Sequence, residues 1–367
     1  MSRPLMAVAL TTCLSLSLTP AFAYPGSQLF TGISDGLQQI PTPAETKPLP
    51  LGPLQQPAAA IGISGLAATA PFTPTAGLIR TTYGAYGTHP VASTGVITEC
   101  GPFYQLYNEV LRLTHGVTTD VSCYGTAPAG DTAWVGSELI YPADISAANP
   151  APLIVLSPGI GVEPGMMQAH AEFYASHGYV VALGYSMANW FGNQMLLAAG
   201  NAAAASQDSN HPLYQAIDFS HSSAIGHSAG GGSALRITEL LPQALRAVGV
   251  NDFQLQATVG INPGPSDFGL GSAPSAIPTL VLVAEHETLV AHPLSRIAYD
   301  RATGEKWWAE LRGAYHGTYL DDPQLNAYDA TILAFLRYVA GDATAANVFT
   351  GEFLLSQDAE WQSVERG

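Results

Sequence analysis

The sequence predicts an α/β fold with a mostly parallel central sheet and helices on both faces. From residue 131 onward, short and continuous apolar runs alternate with helical patterns. Continuous apolar runs are typical of strands that are buried on both faces, as they are in parallel sheets. The chain has 367 residues, of which 47% are hydrophobic and 11% charged. This length and composition suffice for one sizeable α/β domain with extensions.

The predicted elements follow one another in a regular order. The strands are expected at residues 134–141, 153–156, 179–185, 255–261, 277–284 and 306–311, with a further strand that ends at residue 225. The helices are expected at residues 164–177, 233–241 and 325–339. The sequence contains no visible internal repeat, so a repeat architecture is not expected.

The first 23 residues have the pattern of a secretory signal peptide. Arg3 precedes an apolar run from Leu5 to Leu18, and an Ala-x-Ala cleavage pattern ends at Ala23. The alternative, a membrane anchor, is disfavoured because the apolar run is short. We therefore expect an exported protein, in the periplasm or the medium, without stable membrane insertion.

Residues 24–130 predict two further segments ahead of the α/β domain at 131–367. Residues 24–78 are rich in Pro, Ala and Gly, which predicts a linker or a surface extension. Residues 79–130 predict an N-terminal elaboration with a helix at 103–113, which Cys100 and Cys123 bracket. Outside the cytoplasm, such a pair most simply forms one disulfide, with a loop-closure contribution of about 3 kcal/mol.

The charge of the chain excludes some classes of partner. Its formal net charge is −16, with 28 acidic and 12 basic residues. Nucleic acid and anionic membranes would repel such a chain, so we expect neither as a partner. The sequence contains no His-x-x-x-His or Cys-x-x-Cys string, so we expect no metal and no cofactor. We expect a monomer that acts on a small molecule or a neutral polymer.

The stretch Gly226-His227-Ser228-Ala229-Gly230 predicts an exposed nucleophile. An apolar strand end precedes it and a helical pattern follows it, which is the strand-turn-helix context of a Gly-x-Ser-x-Gly elbow. The two outer glycines leave room for a sharp turn that exposes the Ser228 hydroxyl. A Gly-rich loop without chemistry is the alternative.

A serine nucleophile needs a base, and the base needs an acid that orients it. The order serine, acid, histidine is satisfied by Glu285 or Glu287 after the strand at 277–284 and by His316 in a glycine-flanked loop after the last strand. The other histidines that we considered lie too early in the chain or too close to the serine; they are His170, His177, His227, His286 and His292. The residues alone leave both glutamates open as the acid.

An ester-cleaving serine also needs two N–H donors for the oxyanion. The amide of Ala229, directly after the nucleophile, is one candidate. The amide of Ile160, in the turn after the strand at 153–156, is the other, unless that turn is an ordinary strand end. We expect Gly159, Gly161 and His227 to contact the substrate.

Several blocks of the sequence resemble the bacterial cutinases and polyester hydrolases (the PET hydrolase group), with kinship to dienelactone hydrolases and platelet-activating-factor acetylhydrolases. The blocks are Ser157-Pro-Gly159, Ala175-Ser-His-Gly-Tyr-Val-Val181, Gly226-His-Ser-Ala-Gly-Gly-Gly232, Ile277-Pro-Thr-Leu280, Ala284-Glu-His-Glu-Thr288 and Gly313-Ala-Tyr-His316. The resemblance covers residues 131–340 and implies the α/β-hydrolase fold. It implies Glu287 as the acid, where the family has Asp, and Ile160 and Ala229 as the oxyanion donors.

Three differences from that family bear on the substrate. Ile160 replaces an aromatic residue, Gly264 replaces a tryptophan and Ala229 replaces a methionine. Because the aromatic groups are thought to grip aromatic polyesters, we expect a secreted serine ester hydrolase for aliphatic esters or polyesters. The alternatives are a triacylglycerol lipase with a lid at 186–222 and an exported binding module that keeps the fold without turnover.

Overall fold

The computed structural model describes residues 74–94, 135–162, 164–186, 189–264 and 274–367. The predicted signal peptide, most of the linker, the helix at 103–113 and the Cys100 and Cys123 pair lie outside these residues and stay predictions. Within the described residues, no helix is long and apolar enough to cross a membrane.

Nine strands of the described chain form one mixed sheet in the order β1-β2-β4-β3-β5-β6-β7-β8-β9. Their bounds are β1 Val91–Ser93, β2 Val135–Pro142, β3 Ala151–Ser157, β4 Val180–Ser186, β5 Ile217–His227, β6 Leu255–Ile261, β7 Thr279–His286, β8 Lys306–Tyr315 and β9 Trp361–Arg366. The six strands from β3 to β8 pair in parallel. The outer strands β1, β2 and β9 pair antiparallel. The predicted α/β fold with a mostly parallel sheet is confirmed.

The helices lie on both faces of this sheet. In the described residues the α-helices are α1 Leu78–Tyr83, α2 Gln168–Ser176, α3 Asn193–Gln207, α4 Ala229–Arg236, α5 Leu240–Ala247, α6 His292–Arg301, α7 Tyr328–Val339 and α8 Ala343–Phe349. Short 3-10 helices occupy Pro164–Met167, His316–Leu320 and Leu354–Ser356. Strand β7 shows how one strand serves two cores: Leu280 and Leu282 pack with α2, α7 and α8, whereas Val281 and Val283 pack with α4 and α6.

The position of β3 creates a topological switch point in the sheet. This strand lies between β4 and β5, so the chain adds strands first on one side of β3 and then on the other. In open α/β sheets, ligands bind outside the carboxyl ends of the strands at such a switch point. The turn after β3 and the turn after β5 are therefore the expected place for a functional site.

The helix after β5 differs from the prediction. It was expected at residues 233–241, but α4 begins at Ala229 and ends at Arg236, and a separate helix begins at Leu240. The prediction treated the glycines after Ser228 as a turn. They belong to the helix, and a Cβ added at Gly230 would lie 2.3 Å from the Pro158 carbonyl oxygen. Glycine is used here for close packing of the helix against the turn after β3.

Both ends of the described chain are more structured than the sequence indicated. Residues 164–177 divide into a 3-10 helix and α2, and α8 and β9 follow the helix that was expected to be last. Strand β1 pairs with β2 and helix α1 packs on α7, although both precede residue 131. The expected boundary at 131 therefore does not separate residues 78–93 from the sheet.

Candidate active site

Ser228 lies in a sharp turn between β5 and α4. Its backbone angles are φ 56° and ψ −123°, a conformation that costs a non-glycine residue about 1–3 kcal/mol. Two backbone hydrogen bonds hold it: the Ser228 amide donates to the Ile261 carbonyl at 2.8 Å, and the Gly264 amide donates to the Ser228 carbonyl at 2.7 Å. The predicted strand-turn-helix arrangement is present.

Glycines surround the serine because other backbone approaches it closely. A Cβ added at Gly226 would lie 2.1 Å from the Gly230 carbonyl oxygen, so the turn itself tolerates no side chain there. A Cβ added at Gly159 would lie 2.7 Å from the Ser228 Cβ and 3.3 Å from its Oγ. The turn after β3 therefore lies directly against the serine side chain.

The two predicted oxyanion donors lie on the two turns that meet at Ser228. Ala229 is the first residue of α4, so its amide belongs to the positive end of the helix dipole. Ile160 and Gly161 are half-buried in the turn after β3, and Gly161 has a left-handed φ of 71°. These positions suit the stabilisation of a negative charge that develops near the serine.

A buried polar network that the sequence did not reveal holds the turn after β3. The Asn189 side-chain amide donates to the Gly159 carbonyl at 2.8 Å, and the Gln194 amide donates to the Ser157 hydroxyl at 3.0 Å. The Ser233 hydroxyl donates to the Asn189 carbonyl at 2.8 Å. The network thus connects this turn to β4 and to the helix that follows Ser228, which restricts its movement.

Glu287 contacts the predicted base directly. Its Oε2 lies 2.6 Å from Nδ1 of His316, and the two side chains are 1% and 4% exposed. Its Oε1 accepts hydrogen bonds from the amides of Leu289 at 2.7 Å and Val290 at 3.0 Å. Burial on its own would raise the pKa of Glu287, but His316 and the two amides together lower it below its ordinary value. The carboxylate is therefore ionised at neutral pH.

Glu285 lies elsewhere and has a different partner. Its side chain is exposed, and its Oε2 accepts a hydrogen bond from the Gly313 amide at 2.6 Å. That hydrogen bond is the largest cause of its lowered pKa. Of the two glutamates that the sequence left open, the geometry brings Glu287 to His316.

His316 begins the 3-10 helix that follows β8. Its carbonyl accepts two side-chain hydrogen bonds, from Nε2 of His227 at 2.9 Å and from the Asn262 amide at 3.1 Å. Because a carbonyl only accepts, Nε2 of His227 carries a proton. Asn262, which the sequence analysis missed, also accepts from the Ala284 amide at 2.7 Å and so ties three strand ends together.

The expected contact between His227 and substrate is not what the structure shows. The residue is 1% exposed, and its ring lies 4.9 Å from the His316 ring between centroids. Its Nε2 is engaged by the His316 carbonyl. His227 therefore supports the loop that carries His316 from inside the protein.

The segment expected as a lipase lid is largely a structural layer. Within the described part of residues 186–222, helix α3 packs on β4 and β2, and nine of its residues are buried. From Ile217 the chain is already inside β5. The lipase alternative thus loses most of the mobile segment on which it depended.

A strained serine, a buried carboxylate and a histidine lie on turns at the carboxyl ends of the parallel strands β5, β7 and β8. No group of three metal-ligating side chains occurs among the residues that the structure describes. A comparison of the chain with models of protein families gave no match, and a comparison with curated proteins gave none either.

Proposed function

We propose that the chain is a serine carboxylic ester hydrolase with the α/β-hydrolase fold, similar to the bacterial cutinases and polyester hydrolases. The observation that carries the proposal is the 2.6 Å contact between Glu287 and Nδ1 of His316, both buried. The backbone of His316 is in turn bonded to His227, the residue before the strained Ser228. A carboxylate at Nδ1 leaves Nε2 as the atom that removes the serine proton.

The order of the elements supports the same proposal. The serine follows β5, the acid follows β7 and the histidine follows β8. This is the chain order of nucleophile, acid and base in α/β-hydrolases. Ser228 also has the sharp strand-to-helix turn that such enzymes use to expose a nucleophile.

The proposed reaction proceeds through an acyl-enzyme. The Ser228 Oγ attacks the ester carbonyl carbon while His316 takes its proton, and Glu287 stabilises the resulting imidazolium. The amides of Ile160 and Ala229 stabilise the oxyanion. His316 then gives the proton to the departing alcohol, and a water molecule, activated by the same histidine, hydrolyses the acyl-enzyme to release the acid.

The surroundings of the serine favour aliphatic over aromatic esters. Gly264 stands where the similar enzymes have a tryptophan, and a Cβ added there would lie 3.1 Å from the Ala229 amide nitrogen. Together with Ile160 in place of an aromatic residue, this removes both rings that would clamp an aromatic acyl group. We therefore propose aliphatic esters or polyesters as the substrate class, and an exported enzyme on account of the N-terminal leader.

The decisive experiment replaces the nucleophile. Ser228→Ala should abolish hydrolysis of p-nitrophenyl butyrate and labelling by a fluorophosphonate. Ser220→Ala is a matched control, because Ser220 also contacts a histidine and a carboxylate, at His221 and Asp218, on the surface. Activity that survives in Ser228→Ala, or that is lost in Ser220→Ala, would contradict the assignment.

A substrate panel tests the proposed class. It contains short p-nitrophenyl esters, tributyrin, a long-chain triglyceride, an aliphatic polyester film and an aromatic one. We expect turnover of the short and aliphatic esters and little turnover of the aromatic film. A preference for the long-chain triglyceride would favour the lipase alternative, and labelling of Ser228 without any turnover would favour a binding module.

A further inference from the structure

Four buried rings form a continuous stack that ends at the candidate catalytic histidine. His170 stacks on Tyr319 with 4.3 Å between ring centroids, Tyr319 lies 5.4 Å from His227, and His227 lies 4.9 Å from His316. None of the four residues is more than 4% exposed. We call His170, Tyr319, His227 and His316 the ring column.

The end of the ring column farthest from the serine is anchored to a buried carboxylate. Nδ1 of His170 lies 2.8 Å from Oδ2 of Asp329, and the Tyr174 hydroxyl donates to Oδ1 of Asp329 at 2.6 Å. His170 and Tyr174 lie four residues apart on one face of α2, and Asp329 lies in the first turn of α7. A carboxylate that is fully buried depends on such partners, so it fixes His170 between the two helices.

The other end of the ring column holds the backbone of the catalytic loop. Tyr319 lies three residues after His316 in the same 3-10 helix, and the His227 ring donates to the His316 carbonyl. Two contacts thus hold the loop that carries His316. The His227 ring bonds to the His316 carbonyl, and the Tyr319 ring stacks on His170. A change in the ring of Tyr319 or His170 would be transmitted to both contacts.

We propose that His170 and Asp329, acting through Tyr319, are positioning residues for His316. The ring column keeps the His316 imidazole in contact with Glu287 and oriented towards the Ser228 turn. The inference rests on the proposed ester hydrolase function. Because His170 and Tyr319 are buried and belong to α2 and to the 3-10 helix rather than to the Ser228 turn, a change in either ring should lower kcat and leave KM unchanged.

The first test compares two replacements of one ring. Tyr319→Leu removes the ring that joins His170 to His227, and we expect kcat for p-nitrophenyl butyrate to fall by up to about a hundred-fold, the effect of a misplacement of about 1 Å. Tyr319→Phe keeps the ring and should restore kcat. Phe349→Leu is the control, since it removes an equally buried ring whose ring contacts, with Trp307, Phe335 and Tyr338, lie outside the ring column.

A second variant guards against a folding defect. His170→Gln keeps a donor for Asp329 and removes only the ring that stacks on Tyr319, so a folded protein with lowered kcat and unchanged KM is expected. Equal kcat in wild type, Tyr319→Leu and His170→Gln would overturn the proposal. A loss in Phe349→Leu as large as in Tyr319→Leu would also overturn it, because it would indicate a general loss of stability.

A spectroscopic measurement separates this inference from the proposed function. The proton between Nδ1 of His316 and Glu287 should give a low-field NMR resonance that is absent in Glu287→Gln. We expect it to shift or broaden in Tyr319→Leu and to persist in Phe349→Leu, whether or not the ester is turned over. An unchanged resonance in Tyr319→Leu would refute the positioning role, whereas wild-type activity in Ser228→Ala would refute the hydrolase assignment alone.

Discussion

Replacement of Glu287 by glutamine tests the triad most sharply, because the shape of the side chain is kept and only its hydrogen-bonding pattern changes. The carboxylate accepts three hydrogen bonds, from Leu289, Val290 and His316. A glutamine has one acceptor oxygen and one donor NH₂ group. It can therefore accept from the two backbone amides or from His316, but not from both.

The two orientations of the glutamine differ in free energy. If the NH₂ group faced the backbone, two donors would oppose it, and the loss of the acceptor of the part-buried Val290 amide alone would cost about 1–3 kcal/mol. If the oxygen faces the backbone, the NH₂ group faces Nδ1 of His316 and stabilises the tautomer with its proton on Nε2. The second orientation costs less, so Glu287→Gln should fold with little loss of stability. Its histidine, however, would present a protonated Nε2 to Ser228, and that nitrogen could not take the serine proton.

The expected consequence is a loss of about 10⁴-fold in kcat, the size of effect that a wrong histidine tautomer has in a serine protease triad. The assay is p-nitrophenyl butyrate hydrolysis at neutral pH, with thermal unfolding as the check on folding. Glu285→Gln is the matched control, because Glu285 lies two residues earlier and is bonded to Gly313 instead. A Glu287→Gln enzyme within ten-fold of wild type would refute the reasoning about the tautomer.

Three further changes have defined outcomes. Gly159→Ala places a Cβ 2.7 Å from the Ser228 Cβ and should lower kcat by about a hundred-fold, whereas Gly341→Ala, with nothing within 4 Å of the added carbon, should leave kcat unchanged in the same assay. Burial raises the pKa of Glu138 from 4.5 to about 7. The free energy of unfolding is therefore highest below pH 4.5, where this group is protonated in both states, and it falls as pH rises through about 7. In wild type the free energy of unfolding, measured with urea, should fall by up to about 3 kcal/mol between about pH 4 and about pH 8. In Glu138→Gln this fall should be absent, because the glutamine does not titrate. Asp358→Ala removes the acceptor of a buried amide in the first turn of α1 and should lower the free energy of unfolding by about 1–3 kcal/mol in urea.

The parallel strands could be predicted because a strand buried on both faces is a continuous apolar run. Strand β6 has the predicted bounds, and β4 and β7 begin within two residues of them. The edge strands could not be found in this way. Strand β9 buries Trp361 but is otherwise mostly polar, and Ser363 has a left-handed φ of 49° that interrupts any alternation. Its place in the sheet depends on pairing with β8, which no local pattern encodes.

The candidate triad residues could be named from the sequence because a reactive serine, its base and its acid follow strand ends in a set order. The supporting residues Asn189 and Asn262 could not. Both have left-handed φ values, and both bind backbone carbonyls of segments far away in the chain. Nothing in their immediate neighbours indicates a partner, so their roles emerge only when the strand ends are brought together.

The predicted role of His227 in substrate contact was wrong, although its position in β5 indicates the role that the structure gives it. Successive side chains of a strand point to opposite faces, so His227 shares its face with Ile225, two residues earlier on β5. Ile225 belongs to the core that α2 and α7 cover. Strand alternation therefore directs His227 inward, under the loop that carries His316 and towards Tyr319, rather than outward to a substrate. The sharp turn after β5 sets the direction of Ser228, whereas alternation within β5 places His227 where it bonds to the His316 carbonyl.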